Sequence, residues 1–322
     1  MEISKWKSVL MYFKIREVGV LIAVILLGLI FSIANREFLL PGNLLITIRM
    51  ASELGVIAAG VTLLMIAQEF DLSVGSTFAL APMISAILYT NYGVPVTVAT
   101  LIGLLLSLVL GFINGFITTK TEIPSFITTL GTMMIYRALV LVISHGFPVK
   151  ITSQAAISSV IGGSIADVFP VAVIWFLVFT VIGWYILQYT AFGNKIAATG
   201  GNKSAAIAAG INTTKVKILL FVLVSFLAAF SGHIECFRLG SVAPLNGRGL
   251  ELEAVAACVI GGTSLLGGVG TVIGTALGVF ITGMIRNGIV LLGVSVYWQD
   301  GFLGIILITA VILNVYILKK RG

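Results

Sequence analysis

Asn114-Gly115 stands near the end of one long apolar run, 94 to 119, and Asn287-Gly288 near the end of another, 270 to 292. The residues that follow each pair align without a gap until Gly131 and Gly304 fall at the same offset. Upstream, Phe70-Asp71-Leu72-Ser73-Val74 has a counterpart in Leu250-Glu251-Leu252-Glu253-Ala254, an acidic or hydroxyl pair flanking a leucine just before an apolar helix. Two copies of one helical unit in a very apolar chain point to a transporter, because two similar bundles can rock about a site between them.

Working outward, 59% of the 322 residues are hydrophobic and only 10% are charged, and the mean hydropathy is +1.15. Soluble domains carry about 25% charged residues, so the chain is expected to be an integral membrane protein. Ten apolar runs can be read: 18 to 34, 44 to 67, 74 to 91, 94 to 119, 124 to 144, 168 to 188, 216 to 237, 252 to 264, 270 to 292 and 301 to 318. A span needs roughly 20 apolar residues, so the eighth run is short enough to be broken or tilted. The expected fold is therefore an all-α polytopic membrane protein of about ten transmembrane helices, one transmembrane domain over residues 1–322. Spans 2–5 and 7–10 form the repeats, and they are inverted because the second span starts outside and the seventh inside.

The net charge of +7 would suggest nucleic acid in a soluble protein; in a membrane it reports orientation. With the N-terminus inside, Arg36, Arg49, Lys150, Arg238 and Arg248 fall outside, and Arg137 and Arg286 fall within spans. The rest of the 19 basic residues, including Lys5, Lys7, Lys195, Lys203, Lys215, Lys217, Lys319 and Lys320, lie on the cytoplasmic side. Both termini are then cytoplasmic. The basic start and Ser32-Ile33-Ala34 resemble a cleavable signal, but the apolar run exceeds a signal core and its removal would strand an odd number of spans. Cys236 and Cys258 are placed too differently for a disulfide or metal pair, and His145 and His233 have no metal-ligand spacing to anything.

Polar residues inside so apolar a chain are informative, because they are costly unless paired or facing water. Asp71 and Ser73, with Glu251 and Glu253 as their counterpart near the opposite face, are candidate gate or solute contacts, or else acids set at helix N-termini. Asn114 and Asn287, at equivalent repeat positions, are candidate pathway amides or interhelical hydrogen-bonding groups. Arg137 and Arg286 should each reach a carboxylate, a carbonyl or the interface. Gly270, Gly274 and Gly278, like Gly111 and Gly115, are spaced for close helix packing. Gly261-Gly262-Thr263 and Gly267-Gly268 lack the Gly-Lys-Ser/Thr of a phosphate loop, so no nucleotide, cofactor or metal site is expected, and no catalytic residue.

The inner loop, 189–217, contains Asn202-Lys203-Ser204-Ala205-Ala206-Ile207-Ala208-Ala209-Gly210. Asn202 can cap a helix of about two turns that Gly210 ends in the left-handed conformation. So short a helix needs something to dock on. Ser204-Ala205-Ala206 and, four residues on, Gly210 resemble the Glu-Ala-Ala-x-x-x-Gly loop of ATP-binding-cassette importer permeases, with Ser in place of Glu.

The resemblance extends over nearly the whole chain, through Asp71-Leu72-Ser73-Val74-Gly75-Ser76, Ile123-Pro124-Ser125-Phe126-Ile127-Thr128-Thr129-Leu130-Gly131-Thr132, Arg238-Leu239-Gly240-Ser241, Gly249-Leu250-Glu251-Leu252-Glu253-Ala254 and Val259-Ile260-Gly261-Gly262-Thr263-Ser264. Together these are similar to the ribose/xylose/arabinose-type sugar permeases of the bacterial cytoplasmic membrane. That resemblance implies two permease subunits, separate ATPase subunits and an extracytoplasmic sugar-binding protein. It also implies that Asn202, Ser204, Ala205, Ala206 and Gly210 couple the permease to its ATPase. Gln68-Glu69-Phe70 and Pro244-Leu245-Asn246-Gly247-Arg248 depart from the family pattern and bear on which sugar is carried. The rivals are a nucleoside or branched-chain amino-acid permease and an ion-coupled secondary transporter, which would carry a mid-membrane carboxylate or His as an ion site.

Overall fold

The computed structural model describes residues 2–152, 155–166 and 168–295, with isolated positions beyond. Within them the chain is built from α1 (Glu2–Ala34), α2 (Pro41–Ile66), α3 (Val74–Tyr92), α4 (Val96–Thr121), α5 (Ser125–Ile143), α6 (Ala156–Gly162) and α7 (Val171–Tyr189). It continues through α8 (Ala191–Gly201), α9 (Lys203–Ala208), α10 (Thr213–Leu239), α11 (Leu250–Ile260) and α12 (Val272–Leu291). Local chemistry sets many of the ends. Pro41 opens α2, the side chains of Thr190, Asn202, Asn212 and Thr271 cap α8, α9, α10 and α12, and Gly240 closes α10.

Seven of these helices are long and apolar enough to cross a membrane: the Glu17–Ala34 part of α1, and α2, α4, α5, α7, α10 and α12. Among the described residues the expected ten is not reached, for three different reasons. α3 is 19 residues long but carries Ser76, Thr77, Ser85, Thr90 and Asn91. The run at 252–264 becomes the 11-residue α11, because Gly261-Gly262 ends the helix and Gly262 takes φ +90. The run at 301–318 lies largely outside the described residues.

The segment 145–167 contains α6 and the strands β1 (Val149–Lys150) and β2 (Ser164–Ile165). β2 pairs antiparallel with β3 (Phe169–Pro170), and β1 with β4 (Ser241–Val242), in the register Val149 to Val242. The second pair ties the two halves of the chain together at one end of the bundle. Ser153-Gln154 and Asp167 of that segment lie outside the described residues.

α2 is the axis of the bundle, buried continuously from Ala51 to Ala67 and packed by α7, α10, α11 and α12. Small residues make that possible, since they let neighbouring backbones approach. The Phe176 ring of α7 fills the space beside Gly55, and Val224 and Leu227 of α10 lie against Gly60. Of the glycines read from sequence, Gly270 falls before α12 and meets the side chains of Ile66 and Thr263, but the others do the same. Gly111 and Gly115 of α4 meet the backbone of α10 at Phe221, Val222 and Ile218, while Gly274 and Gly278 of α12 meet the backbone of α11 at Gly261 and Ala257.

Candidate functional site

At the inner-loop end, Asn202 Oδ1 accepts from Ala205 N at 3.0 Å and from Ser204 Oγ at 2.8 Å, forming the start of α9. At the other end, Gly210 N bonds Ile207 O at 2.9 Å and Ile211 N bonds Ala206 O at 3.0 Å, with Gly210 at φ +80. Of the six residues of α9 only Ala206 is buried, and Ile207 is 53% exposed. The short helix is thus held by its cap, its terminating turn and one buried residue, and presents Ile207 on its surface.

The helix before it is anchored tightly. Gly200, in the last turn of α8, sits against Ile66 and Ala67 at the end of α2. Gly268 N donates to Ile66 O at 2.8 Å, and Gly267 packs on Gly200 O. Three backbone segments therefore meet with no side chain between them: the end of α8, the end of α2, and the turn after α11.

Between α2 and α3, three residues before α3 begins, the Asp71 carboxylate is buried. Its Oδ1 accepts from Ser73 N at 2.8 Å and Ser73 Oγ at 2.7 Å. Asn114 of α4 donates through Nδ2 to Ser73 Oγ at 2.8 Å and to Asp71 Oδ2 at 3.3 Å, and its Oδ1 accepts from Tyr136 of α5 at 3.3 Å. Asp71, Ser73 and Asn114 thus satisfy one another in this conformation. Asn287 behaves alike, donating to Asn43 Oδ1 at 2.7 Å and Thr47 Oγ1 at 2.6 Å on α2. Both amides join helices.

The acidic counterpart at Glu251 does not stand at the opposite face. The Glu251 carboxylate and the Gly247 carbonyl press on Gly75, in the first turn of α3, where any side chain would collide with them. α3 and α11 both begin inside the bundle rather than at its ends, and that brings their N-termini together. Arg137, well along α5, fastens the junction: Nη1 donates to Pro244 O at 2.7 Å and Asn246 O at 2.9 Å, and Nη2 to Gly75 O at 2.8 Å.

Several ion pairs also form between the helices. Glu53, in the middle of α2, is gripped in a fork by Arg238, with Nε to Oε1 at 2.7 Å and Nη2 to Oε2 at 3.1 Å. Glu235 stands beside Arg238 and accepts from Asn246 Nδ2 at 2.6 Å. Glu253 pairs with Arg286 at 2.9 Å, and Glu69 with Lys217 across the inner end. Arg286 and Arg137 thus find a carboxylate and carbonyls, as expected. Glu53, Tyr136, Glu235 and the Glu69–Lys217 pair were not singled out, although a lone carboxylate in a long apolar run is itself a signal.

The profile of the family described as branched-chain amino acid transport system / permease component matches residues 43–311. The ribose import permease protein RbsC of Bacillus subtilis is 38% identical over 299 residues, which is 93% of this chain and 92% of that protein. The probable ABC transporter permease protein YphD of Escherichia coli is 37% identical, over 96% of this chain and 92% of that one. The autoinducer 2 import system permease protein LsrC of Photorhabdus luminescens is 33% identical, over 93% and 89%. No solved structure matches.

Proposed function

The chain belongs to the branched-chain amino acid transport system / permease component family, and from that premise we propose that it is the membrane-spanning permease subunit of an ATP-binding-cassette sugar importer. The solute is a monosaccharide of the ribose type. The observation that carries this is similarity over nearly the whole chain to proteins named ribose import permeases. The family description names branched-chain amino acids, but that breadth is narrowed by the relatives.

The chain performs no chemistry itself; ATP hydrolysis belongs to a partner ATPase, solute delivery to an extracytoplasmic binding protein, and the pathway to a pairing with a second permease subunit. The exposed α9, with Asn202, Ser204, Ala205, Ala206 and Gly210, is the ATPase-coupling element, and the N- and C-termini are cytoplasmic. The ends of α2, α3 and α4 recur at nearly constant displacement in α10, α11 and α12. α2 lies against α12 as α10 lies against α4. Both relations support two repeats, which the reading takes as inverted. Asp71, Ser73, Asn114, Glu251, Glu253 and Asn287 are then the joints that shift when the two halves rock, more than a fixed lining.

The test is uptake of labelled pentoses and hexoses into proteoliposomes holding this chain, its ATPase and its binding protein. Uptake should require ATP, and Gly210→Glu should abolish it while the permease stays folded. Uptake that persists without ATP, or follows an imposed proton or sodium gradient, would establish the secondary-transporter reading instead, with Glu53 and Glu235 as its ion-site candidates.

A further inference from the structure

α10 runs from the α9 side of the bundle to its far end, and there the chain turns through residues 243–249 before α11 begins. These residues do not lie over the bundle as a surface loop does. Pro244 is buried, and only Leu245 and Arg248 are exposed. Gly247, at φ +74, is wedged between the Gly75 carbonyl and the Phe78 ring of α3, where a Cβ would collide with both. The depth at which α3 and α11 start explains this. Two helices that begin inside the bundle leave a space beyond their N-termini, and residues 243–249 fill it.

The attachments of this filling are of one kind. Among the described residues its backbone bonds stay within the segment or run on into α11, as from Asn246 N to Ala243 O and from Leu250 N to Gly247 O. The rest of the bundle grips it through two side chains. Arg137 Nη1 donates to Pro244 O at 2.7 Å and Asn246 O at 2.9 Å, and Glu235 Oε1 accepts from Asn246 Nδ2 at 2.6 Å. Arg238 is spent on Glu53 in its fork, which leaves Glu235 an oxygen for the neutral amide. Glycines bound the stretch, Gly240 at φ +64 and Gly249 at φ +85, where no Cβ obstructs a change of direction. Lifting the segment out therefore breaks three hydrogen bonds to other elements and unravels no helix or strand.

We propose that residues 243–249 are a plug closing the end of the transport path opposite α9, latched by Arg137 and Glu235, and that the plug swings out to admit the solute. This rests on the transport reading for what passes, but not for how the plug is held. A path between α3 and α11 has to displace this segment, because Gly247 stands against Gly75 at the point where the two helices meet.

The test uses the assembled importer in nanodiscs, where both faces meet the reagent, in a background of Cys236→Ala and Cys258→Ala, both native thiols being buried. Pro244→Cys reports the plug. Leu245→Cys, exposed beside it, is the rate standard, and the ratio of the two cancels differences in reagent and shielding. At rest an impermeant maleimide should alkylate Pro244→Cys far more slowly than Leu245→Cys. During ATP hydrolysis driven by ribose-loaded binding protein the ratio of the rates should rise about tenfold or more. Asn246→Asp sets two carboxylates face to face, so the resting ratio should itself rise about tenfold, and adding Glu235→Gln should return it, because an amide then donates to the carboxylate. Packing lost for any other reason is not repaired by that exchange. Should Pro244→Cys fail to fold, Ala243→Cys, half-buried in the same turn, reads the same movement. If the preparation imports ribose in proteoliposomes while the ratio keeps its resting value during turnover, the plug is overturned. If it imports no sugar, the transport reading falls and the resting comparison decides the latch: an Asn246→Asp without effect, or an effect that Glu235→Gln does not reverse, overturns it.

Discussion

Replacing Gly200 and Gly201 one at a time by alanine should move stability in opposite directions, although the two are neighbours on α8. A Cβ on Gly200 would collide with the Ile66 carbonyl oxygen and come within 2.8 Å of its carbon and 2.9 Å of the Ala67 carbonyl carbon. Carbon atoms rest at about 3.5–4.0 Å, and every atom met is backbone, which cannot rotate away. The end of α8 must therefore retreat from α2 by close to an ångström. Ile66 O is also the acceptor for Gly268 N at 2.8 Å, so the retreat strains a second contact. Overpacking of about 1–3 kcal/mol plus one hydrogen bond of about 1 kcal/mol gives a loss of about 2–4 kcal/mol. A Cβ on Gly201 meets nothing nearer than Gly268 Cα at 3.8 Å, an ordinary contact. There the substitution should be neutral or gain up to about 0.5 kcal/mol, since alanine loses less backbone freedom than glycine on becoming helical. Thermal denaturation of the two purified variants in one detergent gives the comparison. Shifts of the same sign and size would show that the junction is not packed as described.

Other outcomes follow from the same packing. Lys217→Met strands the Glu69 carboxylate, whose side chain is 10% exposed, and should cost about 3–5 kcal/mol; adding Glu69→Gln should restore most of it, and a double variant no more stable than the single one would refute the pairing. Gln68 holds φ +65 at the end of α2, so Gln68→Gly should raise stability by about 0.5–1 kcal/mol, read as a higher denaturation midpoint. Arg137→Met leaves three carbonyls without their donor and should destabilise by more than about 3 kcal/mol, with Arg137→Lys recovering only part because an ammonium cannot span all three; equal stability of the three proteins would argue against the fastening role.

Spacing and local chemistry made much of the fold legible. Val74 opens α3 where the apolar run begins, and Asn202 and Gly210 bound α9 as their side-chain and backbone preferences require. The four-residue glycine spacings declared where backbones would touch. What stayed hidden depended on residues far apart in sequence. Nothing near Glu69 announces Lys217, and nothing near Glu53 announces Arg238, because each pair forms only when α10 packs beside α2 and α4. The meeting of Gly75 with Glu251 was likewise unreadable, since it depends on two helices starting inside the bundle, and a run of apolar letters does not show at what depth its helix begins.

α9 was expected to need a docking partner before it could persist, yet it is already formed. The cap at Asn202, the turn at Gly210 and the single buried anchor of Ala206 hold its six residues between two longer helices. Under the proposed coupling role, a protein docking there would have no coil to order and no nucleation step to wait for. Its association rate is set by how often the two surfaces collide in the right orientation, so capture and release can be fast compared with a segment that folds on contact.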